Sequence, residues 1–418
     1  MKEMAILQSL HTTINKLLKE GDPIMKTMSN ALNGFKIFFL NKNCEIMLEK
    51  LSKIKTFLVN DCFLSISLFA AIVTSFFNTP NWGYVDFNVI ICLFELMIIV
   101  KAFEEYSLIN HLSLLILNRC KNERILLQVL CLFAFISSMF LTNDVALMAV
   151  TPLLINISRK SGYNIILPTI LITISANLGS CATPIGNPQN LYIFSHYQLH
   201  IGNFFSYSLP ICIVSLFLLL CITFFFSPKQ ISFSMKDSSV LEKKKIIVFS
   251  ALFVLLILNI LGAIPYYITL PILILVTLIL NKSLLKKLDY GLLITFVCFF
   301  ISVGNISNIA AIRNFLTVLT NTSTNIYLSS LLLSQIISNV PSSILLAPFS
   351  FNWHALFYGV TIGGLGTPIA SLASIISYKI LILEYPNKKK EYLSKFLLLN
   401  FFCLLIIGLI FYIYIQLN

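Results

Sequence analysis

Gly179-Ser180-Cys181-Ala182-Thr183-Pro184-Ile185-Gly186-Asn187 returns, altered, as Gly363-Gly364-Leu365-Gly366-Thr367-Pro368-Ile369-Ala370-Ser371. Each copy interrupts an apolar run that would otherwise form one membrane-crossing helix. Glycine and proline both disfavour a helix interior, and proline also removes a backbone donor. Backbone groups freed in a bilayer find partners only inside protein or around a cavity. Two such breaks at matching places in two halves of a chain point to a transporter site. The competing reading is that the breaks serve packing alone.

Around these stretches lie 418 residues, 57% apolar and 11% charged, with a mean hydropathy of +0.89. Apolar runs of about 17–25 residues recur, the length that spans a hydrocarbon core. This composition excludes an ordinary soluble domain and predicts an all-α polytopic membrane protein. The lysine-rich first 55 residues lack the apolar core and small-residue cleavage site of a signal peptide. Ten cysteines are scattered without metal-type spacing. They read as small core residues, so no cofactor is expected and Na⁺ is the sole metal considered.

Residues 1–55 are expected to form a cytoplasmic extension. Residues 56–226 form a first transporter repeat, with spans at 56–77, 87–103 and 203–226 and a helix along the cytoplasmic face at 106–120. That repeat holds a re-entrant hairpin at 126–157, whose arms read as short for full spans, and a broken helix at 164–197. A cytoplasmic linker, 227–245, leads to a second repeat at 246–418. There the spans are 246–261, 267–280, 290–303 and 393–415, with a mixed interfacial stretch at 305–320. Its hairpin is 325–348 and its broken helix 354–382. The layout gives about nine crossings plus two re-entrant hairpins and two broken helices. An odd number of crossings separates the hairpins, so the repeats are inverted. With the N-terminus in the cytoplasm and the C-terminus outside, 28 of the 29 Lys and Arg residues fall on the cytoplasmic side, Arg313 being the exception. The net charge of +12 thus follows the positive-inside rule, and no nucleic-acid partner is expected.

The hairpin tips read Thr142-Asn143-Asp144 and Ser338-Asn339-Val340. A carboxamide offers two donors and an acceptor, and helix N-termini at a tip add free N–H groups and partial positive charge. That suits an oxyanion held by Thr142, Asn143, Ser338 and Asn339, with Thr183, Asn187 and Thr367 beside them. The alternative is that both asparagines only satisfy the hairpin backbone. Unwound carbonyls and hydroxyls around Asn177, Gly179, Gly186, Gly363, Gly366 and Ser371 provide oxygen ligands for Na⁺. Gln189, Asn190, Thr361 and Ser374 lie in or beside the same breaks. Asp144, an acid at membrane depth, would bind Na⁺ or carry a proton, or else cap the hairpin's return helix. Glu95 lies within a span and either pairs across helices or joins a proton path. Asp61 is nearer the cytoplasmic end.

These strings resemble the superfamily of arsenite pumps, NhaD-type Na⁺/H⁺ antiporters and citrate and dicarboxylate carriers, and within it the YbiR-like bacterial inner-membrane proteins. The resemblance rests on Phe140-Leu141-Thr142-Asn143-Asp144-Val145-Ala146-Leu147, Thr183-Pro184-Ile185-Gly186-Asn187-Pro188-Gln189-Asn190 and Ser334-Gln335-Ile336-Ile337-Ser338-Asn339-Val340-Pro341-Ser342. It implies a scaffold domain, a moving transport domain and elevator-type alternating access, often in a homodimer. In the dicarboxylate branch both tips read Ser-Asn-Thr, a pattern this chain does not keep. The expected function is secondary transport of a small anion or oxyanion across the cell membrane, coupled to Na⁺ or H⁺. Na⁺/H⁺ antiport is the alternative, and a membrane-embedded enzyme or a channel is more remote: the chain has no HExxH motif and no paired intramembrane acids.

Overall fold

Asn81 and Asp86 fix the chain's entry into its first long helix by capping: their side chains accept hydrogen bonds from Gly83 N and Val89 N. A computed structural model describes residues 62–117, 120, 122–230 and 241–417. The N-terminal extension, Asp61, the start of the first expected span and part of the linker lie outside the described residues. Contacts divide the chain into Met1–Ile66 and Ser67–Asn418, and the second unit holds both hairpins and both broken helices.

The described residues form helices and no strand. In chain order they are α1 (Cys62–Ser75), α2 (Phe87–Glu105), α3 (Leu108–Leu117), α4 (Glu123–Leu141), α5 (Asn143–Ser161), α6 (Ile166–Gly179), α7 (Pro188–His196), α8 (Ile201–Phe224) and α9 (Lys243–Ile260). They continue as α10 (Tyr266–Asn281), α11 (Ser283–Lys286), α12 (Tyr290–Ser307), α13 (Ala310–Thr320), α14 (Ser323–Ile337), α15 (Asn339–Leu346), α16 (Trp353–Gly363), α17 (Leu372–Glu384) and α18 (Lys389–Leu417).

Among the described residues, four helices are long and apolar enough to cross a membrane: Glu123–Leu141, Ile201–Phe224, Tyr290–Ser307 and Pro386–Leu417. Helices α2 and α9 are as long but carry charge, Glu95, Lys101, Glu104 and Glu105 in one and Lys243, Lys244 and Lys245 in the other. The arms of the first hairpin, α4 and α5, are longer than the apolar runs suggest. Each has 19 residues, about 28 Å of helix. The extra turns come from the ends. Asn122 caps α4 through a 2.8 Å bond from Ile125 N. Arg159 and Lys160 complement the dipole of α5, and Gly162 ends it in the left-handed region.

Two packing patterns position the site. Each hairpin lies along the first half of its own broken helix, α4 on α6 and α14 on α16. Each return arm packs on the second half of the opposite one, α5 on α17 and α15 on α7. The close approach within a half depends on glycine. A Cβ on Gly179 would lie 2.7 Å from both Phe135 Cα and Ser138 Oγ, and one on Gly363 would lie 2.8 Å from Ser334 Cβ and Oγ. Overpacking of this kind costs about 1–3 kcal/mol. Gly179→Ala and Gly363→Ala are therefore expected to lower the thermal midpoint of the purified protein, whereas Gly202→Ala, with open space around it, leaves it unchanged.

Candidate functional site

The tips turn on one residue each. Thr142 has φ 73° and ψ 153°, and Ser338 has φ 77° and ψ 156°. This is a backbone region otherwise occupied by glycine, and holding a side chain there costs of order 1–3 kcal/mol. Each residue ends one helix and begins the next, so no loop intervenes. The strain is held by a tether from the break. Thr183 Oγ1 donates to Met139 O, and Thr367 Oγ1 donates to Gln335 O at 2.9 Å. Both acceptors lie three residues before the tip residue. Thr183→Val and Thr367→Val leave a carbonyl without its donor, a loss of about 1–3 kcal/mol. Both are expected to lower the thermal midpoint by similar amounts, with Thr→Ser at either position retaining most of it. Midpoints equal to the wild type would remove the tether.

The breaks themselves match. In the first, α6 ends at Gly179, a short 3₁₀ turn covers Ser180–Ala182, and extended Asn187 (φ −150°, ψ 140°) precedes α7. In the second, α16 ends at Gly363, Gly366 takes φ 99°, and extended Ser371 (φ −141°, ψ 136°) precedes α17. A positive φ suits glycine, since no Cβ meets the backbone. Freed carbonyls are closed by carboxamides. Asn190 Nδ2 donates to Ser180 O and Thr183 O at 2.9 and 3.1 Å. Gln335 Nε2 donates to Gly363 O and Leu365 O at 2.8 and 3.0 Å, while its Oε1 accepts from Thr367 N at 3.0 Å. Gly186 O accepts the amide of Asn143 at 3.3 Å, and Ala370 O accepts the Ser338 hydroxyl at 3.2 Å.

One node joins the halves. Asn177 Oδ1 accepts from Asn143 Nδ2 at 3.0 Å and from Ser371 Oγ at 2.9 Å. Asn177 Nδ2 donates to Ser374 Oγ at 3.3 Å. The contact continues along α6 and α17, from Thr173 to Ser377 (2.7 Å) and from Ser377 to Tyr392 (3.2 Å). Asn143, Asn177, Ser371 and the first tip are thus brought together. Asn339 sits at the second tip against its own break, where a Cβ on Gly364 would lie 2.8 Å from Asn339 Nδ2. Asn187 reaches Ser180 Oγ at 3.5 Å.

Several buried oxygens nearby have no hydrogen-bond partner among the described residues: Asp144 Oδ1, Gln189 Oε1, Asn190 Oδ1, Ser342 Oγ and Thr361 Oγ1. An unpaired buried polar atom carries the full desolvation cost unless a water or solute meets it. Thr142 and Asp144 also line a cavity of about 160 Å³ with Val145, Pro188, Met97 and Lys101. Reading the sequence missed Gln335, Thr173, Ser377 and Tyr392. The one available signal was Gln335, a polar residue inside an apolar arm.

Three relatives share this sequence at length or in part. The uncharacterized transporter MJ0456 of Methanocaldococcus jannaschii is 33% identical over 331 residues, 78% of this chain and 90% of that protein. The inner membrane protein YbiR of Escherichia coli is 30% identical over 331 residues, 77% of this chain and 88% of its own. The silicon efflux transporter LSI3 of rice is 26% identical over 144 residues, 34% of this chain and 30% of that protein. All three are similar to this chain across transporter or membrane sequence, and none is an enzyme by name. The profile of the citrate transporter family (CitMHS) matches residues 46–356. Two broken helices meet two strained tips, and that match covers most of the length: the chain belongs to the citrate transporter family of multi-pass membrane transporters.

Proposed function

We propose that this transporter is a secondary active carrier of a small anion or oxyanion, working by alternating access and coupled to Na⁺ or H⁺. The observation that carries the reading is the node at Asn177, where a tip of one half and a break of the other meet on one side chain. Reciprocal packing of α5 on α17 and α15 on α7 supports it, because moving either hairpin remakes the site. The solute binds among Thr142, Asn143, Ser338 and Asn339, whose amides and hydroxyls are neutral donors suited to oxygen-rich solutes of modest charge. The family's description names citrate and the rice relative's name silicon efflux, and both are compatible with such a lining. The unpartnered oxygens of Gln189, Asn190 and Thr361 are the ligands offered to Na⁺, a hard cation held by oxygen.

In this reading the hairpins are re-entrant and the repeats inverted, with about nine crossings. The N-terminus is cytoplasmic, and a transport body rides past a scaffold as an elevator. The test is solute uptake into vesicles containing the purified protein, scanned over citrate, dicarboxylates, arsenite and silicic acid under imposed Na⁺ or H⁺ gradients. Gradient-dependent uptake that Asn143→Ala and Asn339→Ala both abolish is expected. Flux of no solute under either gradient would end the proposal. One observation favours a second reading, cation/proton antiport: Asp144 Oδ1 is unpartnered beside a cavity. Exchange of Na⁺ for H⁺ without any added solute would select it.

A further inference from the structure

Glu95 stands apart from the tips and breaks. It lies on α2 and is 1% exposed. Its Oε2 accepts from Asn259 Nδ2 of α9 at 3.0 Å, and its Oε1 accepts from Thr269 Oγ1 of α10 at 2.6 Å. Among the described residues no Lys, Arg or His forms an ion pair with it. The lysines of α9 are at the far end of that helix, Lys245 being 14 residues from Asn259, about 21 Å along the axis. A buried carboxylate at membrane depth with only neutral partners is costly while charged. Such a group escapes the cost by taking a proton.

The partners accommodate either state. A threonine hydroxyl both donates and accepts. With Glu95 ionised, Thr269 donates to it. With Glu95 protonated, the acid donates to Thr269 Oγ1, and the threonine turns its own hydrogen to Tyr266 O, 3.4 Å away. Asn259 Nδ2 donates to the second carboxyl oxygen in both states. A cavity of about 650 Å³ is lined by Asn88, Ser195, Gln198 and His200, and also by Cys92 and Asn259. Asn259 Nδ2 lies 3.6 Å from Cys92 Sγ and donates to the carboxylate, so one residue belongs both to the cavity lining and to the Glu95 link.

We propose that Glu95 is a proton-binding site separate from the solute site, loaded and unloaded through this cavity. A hydronium ion in the cavity gives its proton to a carboxyl oxygen and leaves as water, and release is the reverse. The proton toggles a polar link between α2, α9 and α10. That the cavity opens on the outer face rests on the proposed membrane orientation. The binding itself does not. Other titratable groups on the surrounding elements are Asp86 at the cap of α2, Cys92, Lys101, Glu104 and Glu105 of α2, Tyr192 and His196 of α7, Lys243, Lys244 and Lys245 of α9, Tyr266 and Tyr267 of α10, Lys286 of α11, and Tyr290 and Cys298 of α12. Asp86 is held by Ser195 Oγ at 3.1 Å and Tyr192 by His196 at 3.5 Å.

Infrared difference spectra of the purified full-length protein, titrated from acid to alkaline buffer, test this without any transport assay. A carboxylic-acid carbonyl band is expected that Glu95→Gln removes and Asp144→Asn leaves in place. Asn259→Asp sets a second carboxyl beside the first, so the band's midpoint moves up by more than about 1 pH unit. That variant keeps the test open if Glu95→Gln folds poorly. Asn88→Trp narrows the cavity with an indole ring and is expected to slow deuterium exchange of the same band at least tenfold. A band unchanged in Glu95→Gln, or a midpoint unmoved in Asn259→Asp, would show a permanently ionised structural carboxylate and overturn the site. Unchanged exchange in Asn88→Trp would overturn the route. A protein that carries no solute yet shows the band would refute the transport reading alone.

Discussion

Asn177→Leu is expected to abolish transport while leaving a membrane-inserted, helical protein. Leucine has the same branched four-heavy-atom skeleton, so the loss is chiefly of hydrogen bonds. It removes the acceptor shared by Asn143 and Ser371 and the donor to Ser374. Asn143 and Ser371 are 3% and 1% exposed, so their donors find no water in compensation. Leaving a buried donor unpaired costs about 1–3 kcal/mol, and two of them correspond to a reduction of at least roughly 30-fold in any rate that needs the node. Asn177→Asp keeps the acceptor and is expected to fall between the two. Asn143→Ala and Ser371→Ala test the geometry further. They come from different halves but end on one oxygen, so their effects on thermal midpoint and uptake should not add, with a coupling of about 0.5–3 kcal/mol. Additive effects would mean that the halves do not communicate through Asn177. Uptake at wild-type rate in Asn177→Leu would remove the node from the transport cycle.

The breaks were legible because their signals are local. Thr-Pro with glycine beside it in apolar sequence signals a break, and the structure ends α6 at Gly179 and α16 at Gly363, whereas Thr151-Pro152, with no glycine nearby, lies inside α5. The turns at Thr142 and Ser338 were legible as polar interruptions. Their backbone was not, since neither threonine nor serine signals a positive φ. That conformation is imposed by the tethers from Thr183 and Thr367, which reach across about 30–45 residues of chain. Thr183 and Thr367 were expected as solute ligands. In the structure their hydroxyl hydrogens are spent on backbone, and Thr183 Oγ1 also accepts from Gly186 N at 3.1 Å. Asn177, which the sequence sets among the oxygen ligands offered to Na⁺, is bonded through both ends of its amide. No spacing rule links it to Ser371, 194 positions away; pairing of that range follows from packing α6 on α17 and is invisible to periodicity. Gln335 is the opposite case: a carboxamide among the leucines and serines of the inner half of its arm, whose role in closing the second break becomes plain once its neighbours are known.

Asp144→Asn is expected to separate solute binding from the driving ion. The residue opens the first turn of α5, where a negative charge is favoured by the helix N-terminus. Were capping its purpose, its carboxylate would accept from the first free amides. Instead Asn143 Oδ1 accepts the amide of Asp144 at 3.0 Å, and Asp144 Oδ1 is buried without a partner among the described residues. The carboxylate therefore lines the small cavity between α2, α12 and the first tip. At its rim Lys101 is held by Glu104 at 2.8 Å, and Lys287 by Glu105 at 2.6 Å. With these lysines held by their own partners, the Asp144 carboxylate, when ionised, has no cationic partner among the described residues, a charge that a cation or proton would balance. Asparagine keeps the shape and loses that charge. The variant is expected to bind solute with affinity within about threefold of wild type, since the node at Asn177 is intact, while uptake no longer responds to an imposed Na⁺ or H⁺ gradient. Exchange of solute for solute across the vesicle membrane should survive, because it needs no net ion movement. Asp144→Glu moves the carboxylate by one methylene and should restore part of the gradient response. Gradient-driven accumulation in Asp144→Asn at the wild-type level would relieve this acid of any part in coupling and return it to the role of a helix cap.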